Sequence, residues 1–551
     1  MWRRHGRHVL VLTSAGKPVF TRHGGDGDAV QLTSVITALL GRAAEGGDGL
    51  RSLALADGTT VVFAARGQVV LCCVCRTPEP EAATRATLAA LHGFLALTLT
   101  GAVLDRVAER AGAGGDLRPH LAGTRGALLN VVRAGNRLPG PWLGATPLLS
   151  IGPATRAKLV ATLTAGAAGC PGIVYAAVVA GYALVGWAQP RAAGAAAGGG
   201  DRDRDHGGDR GPPPPALQPS DAHLLCCLLQ SAGSFRRAQA SLSPVCLPGL
   251  HPGGYLQAWI SMLAEVPPAR PSLAATLAAG PAAGAAPDAA APGGDGGPHA
   301  HYHIDRAPPA VYLVLVSQAA DPSSAMALAT STAAIAGELR GCGALDAVAR
   351  TLALAGPVGC GDYDAARYRE RGCLHLLHVW RPYAQYSQST LPAVVATHAQ
   401  RKALLRAYAH AHDAVTLGGG GGGGGGGGKG APRHFVASFP ELAGGPPGRG
   451  AGAPARRAGP PEGDDEEEEE EAEEGRQRGG AAGAGAASSS SGEPPPPGVA
   501  TIAAISTTHA LLLAAFDASV AHADVPAAME RLAKALRADN DRLLLASPGS
   551  L

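Results

Sequence analysis

Aromatic side chains and an excess of either charge are both scarce in this chain of 551 residues. It holds 7 Phe, 5 Trp and 10 Tyr, which is too few to favour an aromatic cage for a ligand or a stacking surface for bases. Its 46 Lys and Arg residues face 44 Asp and Glu residues, so the formal net charge is only +2. Since no net field draws the chain toward phosphates, we expect no nucleic-acid partner.

Cysteine and long apolar runs are also limited. Ten Cys residues are too sparse for a disulfide scaffold, and adjacent pairs such as Cys72 and Cys73 are poor bridging partners, which favours a reducing compartment. The longest apolar run that we identify, 173–188, is shorter than the ~20 residues that cross a bilayer, and Gly181 interrupts it. We therefore predict no transmembrane segment, so that any membrane role is peripheral.

Glycine and proline, by contrast, are abundant and clustered, with 78 Gly and 44 Pro. Four segments rich in them are predicted to be disordered low-complexity inserts, because they cannot bury enough apolar surface to offset chain entropy: 194–215, 270–298, 418–428 and 444–497. The last insert contains the acidic run 464–474. We interpret this run as a solvated segment, with contact to a basic partner as the alternative.

With these inserts set aside, one order of elements occurs three times. In the first copy, apolar and β-branched runs separated by turns predict the strands 9–14, 18–22, 50–55, 60–65 and 68–75. Between the second and third strands, Asp28 is predicted to cap a helix with an apolar stripe of Leu32, Val35, Ile36, Leu39 and Leu40. One long helix, 81–110, is predicted to close this copy.

The second and third copies repeat this order with different residues. The second copy has predicted strands at 173–179, 182–187, 244–247, 255–263 and 311–317. Ser220 caps its first helix, and a helix at 323–340 closes it. The third copy has predicted strands at 374–380, 385–387, 434–439, 499–506 and 510–516, and Asp524 caps its last helix. Each copy therefore reads β-β-α-β-β-β-α, which predicts an α+β fold of antiparallel five-stranded sheets with packed helices.

This order is that of longin/roadblock domains, and particular stretches resemble one longin family. The stretches are LTSAGKPVF at 12–20, LQPSDAHLL at 217–225, PVCLP at 244–248 and QYS at 385–387. They resemble the SAND family of vacuolar fusion proteins, of the monensin-sensitivity-one type, over nearly the whole chain outside the inserts. The resemblance implies three longin/roadblock-like domains, which we place at 1–168, 169–345 and 366–551.

The resemblance also implies a function. Proteins of this family pair with a second triple-longin subunit, of the calcium-caffeine-zinc-sensitivity type. The pair is a guanine-nucleotide exchange factor for a late-endosomal Rab GTPase of the Rab-seven type. It drives endosome maturation and vacuole, lysosome and autophagosome fusion. We accordingly expect a cytoplasmic protein recruited peripherally to endosomal and vacuolar membranes, without covalent catalysis. A longin-domain trafficking scaffold without exchange activity is the alternative, and a metal- or thiol-dependent enzyme is a third hypothesis.

The first helix and the strand 50–55 are the candidate partner surface. The resemblance implies that these elements pair with the second subunit and form the GTPase platform, although an apolar stripe alone indicates ordinary core packing. Core packing and partner binding are compatible, because a longin helix buries one face and leaves the other exposed for binding. The partner-facing or GTPase-binding candidates are Gln31, Thr33, Ser34, Thr37, Arg42 and Leu53.

Local chemical motifs are weak. His299, His301 and His303, with Asp305, have the spacing of a zinc site, but solvated histidines at the end of an insert are the favoured interpretation. Cys72, Cys73 and Cys75 lie in an apolar strand and are interpreted as small core groups. We expect no cofactor, no metal and no small-molecule substrate. The first residues, Arg3, Arg4, His5, Arg7 and His8, are interpreted as a solubilising basic arm, with contact to anionic lipid as the alternative.

Overall fold

The computed structural model describes residues 5–23, 26–45, 49–77, 79–111, 117–170, 172–189, 217–231, 233–238, 240–251, 254–266, 309–318, 322–355, 368, 370–392, 395, 398–417, 433–438 and 499–539. The four predicted inserts, the acidic run and the histidines at 299, 301 and 303 lie outside these residues. Arg3 and Arg4 lie outside them as well.

The first sheet contains five antiparallel strands. They are β1 (Arg7–Thr13), β2 (Pro18–Thr21), β3 (Ser52–Ala54), β4 (Thr60–Arg66) and β5 (Val69–Cys75). Their spatial order is β2-β1-β5-β4-β3, so β3 lies at an edge. Gly67, in the β4–β5 turn, has a φ of 54°, a left-handed conformation that glycine adopts without steric cost. A two-residue strand, β6 (Thr146–Pro147), follows much later in the chain.

Two further sheets have the same internal order. The second contains β7 (Ile173–Ala180), β8 (Ala183–Ala188), β9 (Ala240–Val245), β10 (Leu256–Glu265) and β11 (Ala310–Ser317), ordered β8-β7-β11-β10-β9. The third contains β12 (Cys373–Trp380), β13 (Gln385–Gln388), β14 (Arg433–Ser438), β15 (Val499–Ser506) and β16 (Ala510–Asp517), ordered β13-β12-β16-β15-β14. The predicted α+β architecture with antiparallel sheets is therefore confirmed.

Helices cover these sheets. The part of the chain before the second sheet contributes α1 (Asp26–Glu45), α2 (Glu81–Leu99), α3 (Gly101–Ala111), α4 (Arg125–Arg137), α5 (Gly140–Leu143) and α6 (Pro153–Ala168). The remainder contributes α7 (Pro219–Ser231), α8 (Gly233–Arg237), α9 (Pro322–Gly341), α10 (Ala344–Ala355), α11 (His398–Leu417) and α12 (Val525–Ala538).

Several predicted boundaries are wrong. The helix predicted at 81–110 is two helices, because Thr100 has a φ of 62° and interrupts the helical backbone between α2 and α3. Asp28 lies inside α1, which begins at Asp26, and Ser220 lies inside α7. The strand predicted at 244–247 is β9, which ends at Val245.

Helix α6 packs on the second sheet rather than the first. Its buried Leu159 and Leu163 share a core cluster with β7 and β8 residues such as Ala176 and Val185. The domain boundary predicted after residue 168 therefore assigns α6 to the first domain, although α6 packs on the second sheet. The prediction also missed α4, which packs against α2 and α7.

A short connector joins the second and third sheets. Strand β6 pairs in parallel with β13, so the third sheet has six strands instead of the predicted five. The N–H of Leu148 donates to the carbonyl of Tyr386 at 3.0 Å, and the N–H of Leu149 donates to the carbonyl of Leu184 at 2.8 Å. Consecutive residues of one segment thus bond to two different sheets.

One apolar core runs through all three sheets. It includes Leu71 of the first sheet, Val314 of the second, Phe516 of the third and Leu91 of α2. Among the described residues, helix α2 is long and apolar enough to span a membrane, judged by length and composition only. No transmembrane segment was predicted there from the sequence. Half of its apolar window is buried against the rest of the chain, and the core helix of a folded domain passes the same test.

Candidate partner interface in the first unit

Helix α1 packs on the first sheet with one side. Ile36 is buried in a cluster with Leu10 and Leu12 of β1 and Cys72 of β5, and Leu32 and Leu40 pack against the same cluster. Positions 32, 36 and 40 are four residues apart, so they lie along one side of a helix. This side holds α1 on the sheet.

The solvent-facing side of α1, which adjoins the packed side, carries apolar residues that the prediction assigned to the core. Val35 is 57% exposed and Leu39 is 39% exposed, one helical turn apart. They lie beside the exposed Gln31, Ser34 and Arg42. We call these five residues the exposed α1 face. The predicted apolar stripe was too wide, and only its half around Ile36 is covered by the sheet.

The structure separates the predicted site residues into three groups, which are exposed, buried and half-buried. Gln31, Ser34 and Arg42 lie on the exposed α1 face, and Arg42 forms an exposed ion pair with Glu45 at 3.2 Å. Thr33 is buried at 2% exposure, with its hydroxyl donating to the carbonyl of Val30 at 2.9 Å. It therefore does not lie on the outer face, as the prediction required, because its helical position is on the side of Ile36.

Thr37 and Leu53 are intermediate cases. Thr37 is half-buried, and its hydroxyl donates to the carbonyl of Thr33 at 2.8 Å and lies over Gly16 in the β1–β2 turn. Leu53 lies on the edge strand β3, as predicted, opposite Val61. Its half-buried side chain packs against the cluster around Ile36, so the exposed part of this edge is its backbone and Leu55.

The thiols of β5 are core groups. Cys72 belongs to the cluster under α1, whereas Cys73 and Cys75 belong to the core on the other side of the sheet. Burial raises the pKa of Cys73 to about 11 and that of Cys72 well above its ordinary value, so both stay protonated near neutral pH. Within the residues that the structure describes, no three His, Cys, Asp or Glu side chains are grouped as metal ligands.

The predicted basic arm is wrong for its described residues. His5, Arg7 and His8 are all buried, and Arg7 lies in β1. The Arg7 guanidinium pairs with the Glu79 carboxylate at 3.0 Å and also contacts the side-chain oxygen of Asn136. These residues hold the first strand in place instead of solubilising a terminus.

The stretch 217–225 that carries the family resemblance has a structural role. Asp221 is buried, and its carboxylate accepts hydrogen bonds from the backbone N–H groups of Gly249 at 3.2 Å and Leu250 at 2.8 Å. Burial raises the pKa of Asp221, although these two N–H groups act in the opposite direction. Asp221 thus fixes the loop after β9, next to the PVCLP stretch at 244–248.

Comparison with known proteins agrees with this arrangement. Residues 7–130 match the family model described as the first longin domain of FUZ, MON1 and HPS1. The chain is 31% identical to vacuolar fusion protein MON1 homolog A of Homo sapiens over 262 residues, which are 48% of this chain and 36% of that protein. It is 30% identical to MON1 homolog B of Mus musculus over 267 residues, 48% of this chain and 44% of that protein. It is 27% identical to the MON1 homolog of Arabidopsis thaliana over 259 residues, 47% of this chain and 38% of that protein.

The first sheet and its helices therefore define a longin-domain protein. The alignments span less than half the length of each of these relatives. Within the longin class, the chain is similar to the MON1 vacuolar fusion proteins, and the resemblance found in the sequence is confirmed over about half of the chain.

Proposed function

We propose that this chain is one subunit of a heterodimeric guanine-nucleotide exchange factor for a late-endosomal Rab GTPase of the Rab-seven type. Its relatives are named as vacuolar fusion proteins in mammals and plants, which supports a role in membrane fusion traffic. In this proposal the chain has three longin/roadblock-like domains and acts from the cytoplasm. A peripheral association with endosomal and vacuolar membranes lets it promote endosome maturation and fusion, including autophagosome fusion.

The exposed α1 face is the observation that carries this proposal. Val35 and Leu39 are apolar and solvent-facing, whereas the neighbouring Ile36, on the packed side of the helix, is buried. Covering apolar area is the main favourable term in protein association. A second triple-longin subunit, of the calcium-caffeine-zinc-sensitivity type, is the proposed partner for this face and for the neighbouring edge strand β3.

Nucleotide exchange does not need a nucleophile at this surface. An exchange factor lowers the barrier to GDP loss by binding the nucleotide-free GTPase more tightly than the nucleotide-bound form. This requires complementary shape and charge rather than a general base, a metal or a cofactor. Gln31, Ser34 and Arg42 supply exposed polar groups beside the apolar pair, which suits recognition of a GTPase surface next to the partner subunit.

The test is release of a fluorescent GDP analogue from the purified late-endosomal Rab. We expect release to accelerate when this chain and the second longin subunit are both present, and to remain at the intrinsic rate with either subunit alone. A stable heterodimer that leaves the release rate unchanged would instead support the alternative, a trafficking scaffold without exchange activity.

A further inference from the structure

A cleft lies between the β15–β16 hairpin and helix α12 in the third sheet unit. It is an open surface groove with a volume of about 790 Å³, and Thr508, His509, Lys534 and Arg537 in its lining are exposed. Trp380, Thr508 and His509 line it from the sheet side, with the rings of Trp380 and His509 stacked at 6.3 Å between centroids. Lys534 and Arg537 line it from α12.

The cleft carries a net positive charge, because two cations and one carboxylate line it. Across the described part of the chain, neither Lys534 nor Arg537 has an ion-pair partner, and Glu530 is the acidic residue in the lining. Two more cations lie at this end of the sheet. Arg381 donates to the hydroxyl of Ser506 at 2.8 Å, and Arg433 is paired with Ser506 in the sheet register. This surface therefore fits an acidic ligand.

We propose that the acidic run 464–474 of this same chain binds in the cleft. Every position of the run is Asp or Glu except Ala472, so its charge is complementary to that of the lining. Its carboxylates would pair with Lys534 and Arg537 and accept a hydrogen bond from the hydroxyl of Thr508. Bound there, the run would screen these cations from other anionic partners.

The length of the connecting chain permits this contact. The run is joined to Ser438 of β14 through residues 439–463 and to Val499 of β15 through residues 475–498. The eight residues of β15 extend ~25 Å from Val499 to the cleft end at Ser506. Twenty-four residues can span up to ~80 Å. Because the run is tethered, its effective concentration reaches the ~mM range, which favours several ion pairs that are weak individually.

Carbodiimide cross-linking of the full chain tests this proposal, because a zero-length cross-link forms only between a carboxylate and an amine in contact. The chain has just five lysines: Lys17, Lys158, Lys402, Lys429 and Lys534. In ~50 mM salt we expect the yield of cross-linked peptides that join Lys534 to the run 464–474 to be at least tenfold higher than the yield of those that join the exposed Lys158 to the same run. In ~500 mM salt, where the Debye length is about 4 Å, the Lys534 links should fall several-fold.

Two controls separate the alternatives. The variant Arg537→Glu should reduce the Lys534 links about fivefold, whereas Arg350→Glu, at an exposed position of α10, should leave them unchanged. A mixture of isotopically labelled and unlabelled chains should give links within one chain only. Equal linkage of Lys158 and Lys534, links that persist at high salt, or links mainly between two copies would overturn the proposal.

Discussion

The phenolic hydroxyl of Tyr182 donates a 2.8 Å hydrogen bond to the side-chain oxygen of Asn130, and both residues are buried. Asn130 belongs to α4 and Tyr182 to the β7–β8 turn. The Asn130 amide donates in turn to the carbonyl of Cys227 on α7 at 3.0 Å, and Gln230 donates to the carbonyl of Gly181 at 2.8 Å. A buried polar network thus joins α4 to the second sheet unit inside a mainly apolar core.

Replacing Asn130 should reveal how strongly this network couples the two units. The variant Asn130→Ala leaves the buried hydroxyl of Tyr182 without its acceptor and removes the bond to the carbonyl of Cys227, so we expect a loss of about 3 kcal/mol in the free energy of unfolding. Tyr182→Phe removes only one of these bonds and should cost about 1 kcal/mol. Urea denaturation followed by circular dichroism measures both. A loss below ~0.5 kcal/mol for Asn130→Ala, the size expected of a surface change, would contradict this role.

Three buried histidines predict acid sensitivity. Burial lowers the pKa of His223, His375 and His378 to about 4, from an ordinary value near 6.5, and Arg537 adds to the effect at His378. Between these two values the unfolded chain binds more protons, so stability is full above pH ~6.5 and falls as the pH drops toward 4. Each histidine accounts for about 3 kcal/mol of this loss.

The urea midpoint should therefore fall sharply from pH 7 to pH 5. The variant His378→Leu should show a smaller fall than the unmodified chain, because one of the three groups is gone. His522→Gln, at an exposed position, is the matched control and should behave like the unmodified chain. Identical pH dependence in His378→Leu would show that His378 does not contribute.

The edge strand β3 offers a local test of packing. Leu53→Asp should destabilise the first unit by about 2 kcal/mol, because the side chain of Leu53 packs against the cluster under α1. Leu55→Asp, two positions along and 39% exposed, should change stability by less than ~0.5 kcal/mol. Thermal unfolding distinguishes them, and equal effects of the two variants would mean that Leu53 does not anchor the strand.

The low-complexity inserts should be dispensable for folding. Removing residues 418–428, or exchanging 444–497 for a short Gly/Ser linker, should change Tm by less than ~2 °C, because closure entropy depends only weakly on loop length. Differential scanning calorimetry of the shortened chains provides the measurement. A loss of 10 °C or more would show that folding depends on these segments.

Much of the fold could be predicted because its signals are local. The runs at β4 and β5 alternate with glycine turns such as Gly67, and these patterns specify strands directly. Strand β6 could not be predicted, since its two residues become a strand only by pairing with β13, more than 200 positions away. Likewise, nothing local indicates that Arg7 is buried, because its partners Glu79 and Asn136 are brought to it by the fold.

The candidate surface was predicted only in part for a related reason. Periodicity identifies α1 as a helix with apolar residues, but it cannot show how wide a face the sheet covers. The sheet covers Ile36 and Thr33 and leaves Val35 and Leu39 in solvent. We predicted Thr33 to be exposed because its side chain is polar. It is buried because it lies one helical turn before Ile36, on the same side of α1.

The exposed α1 face is tested most directly by the rate of GDP release from the late-endosomal Rab in the presence of the second longin subunit. We predict that the double variant Val35→Asp and Leu39→Asp lowers the stimulated rate at least tenfold while its circular dichroism spectrum stays normal. Met326→Asp is the control, because Met326 is also apolar and 72% exposed but lies on α9, and it should keep the full rate. Full stimulation by the double variant, or stimulation by this chain without its partner, would contradict the account.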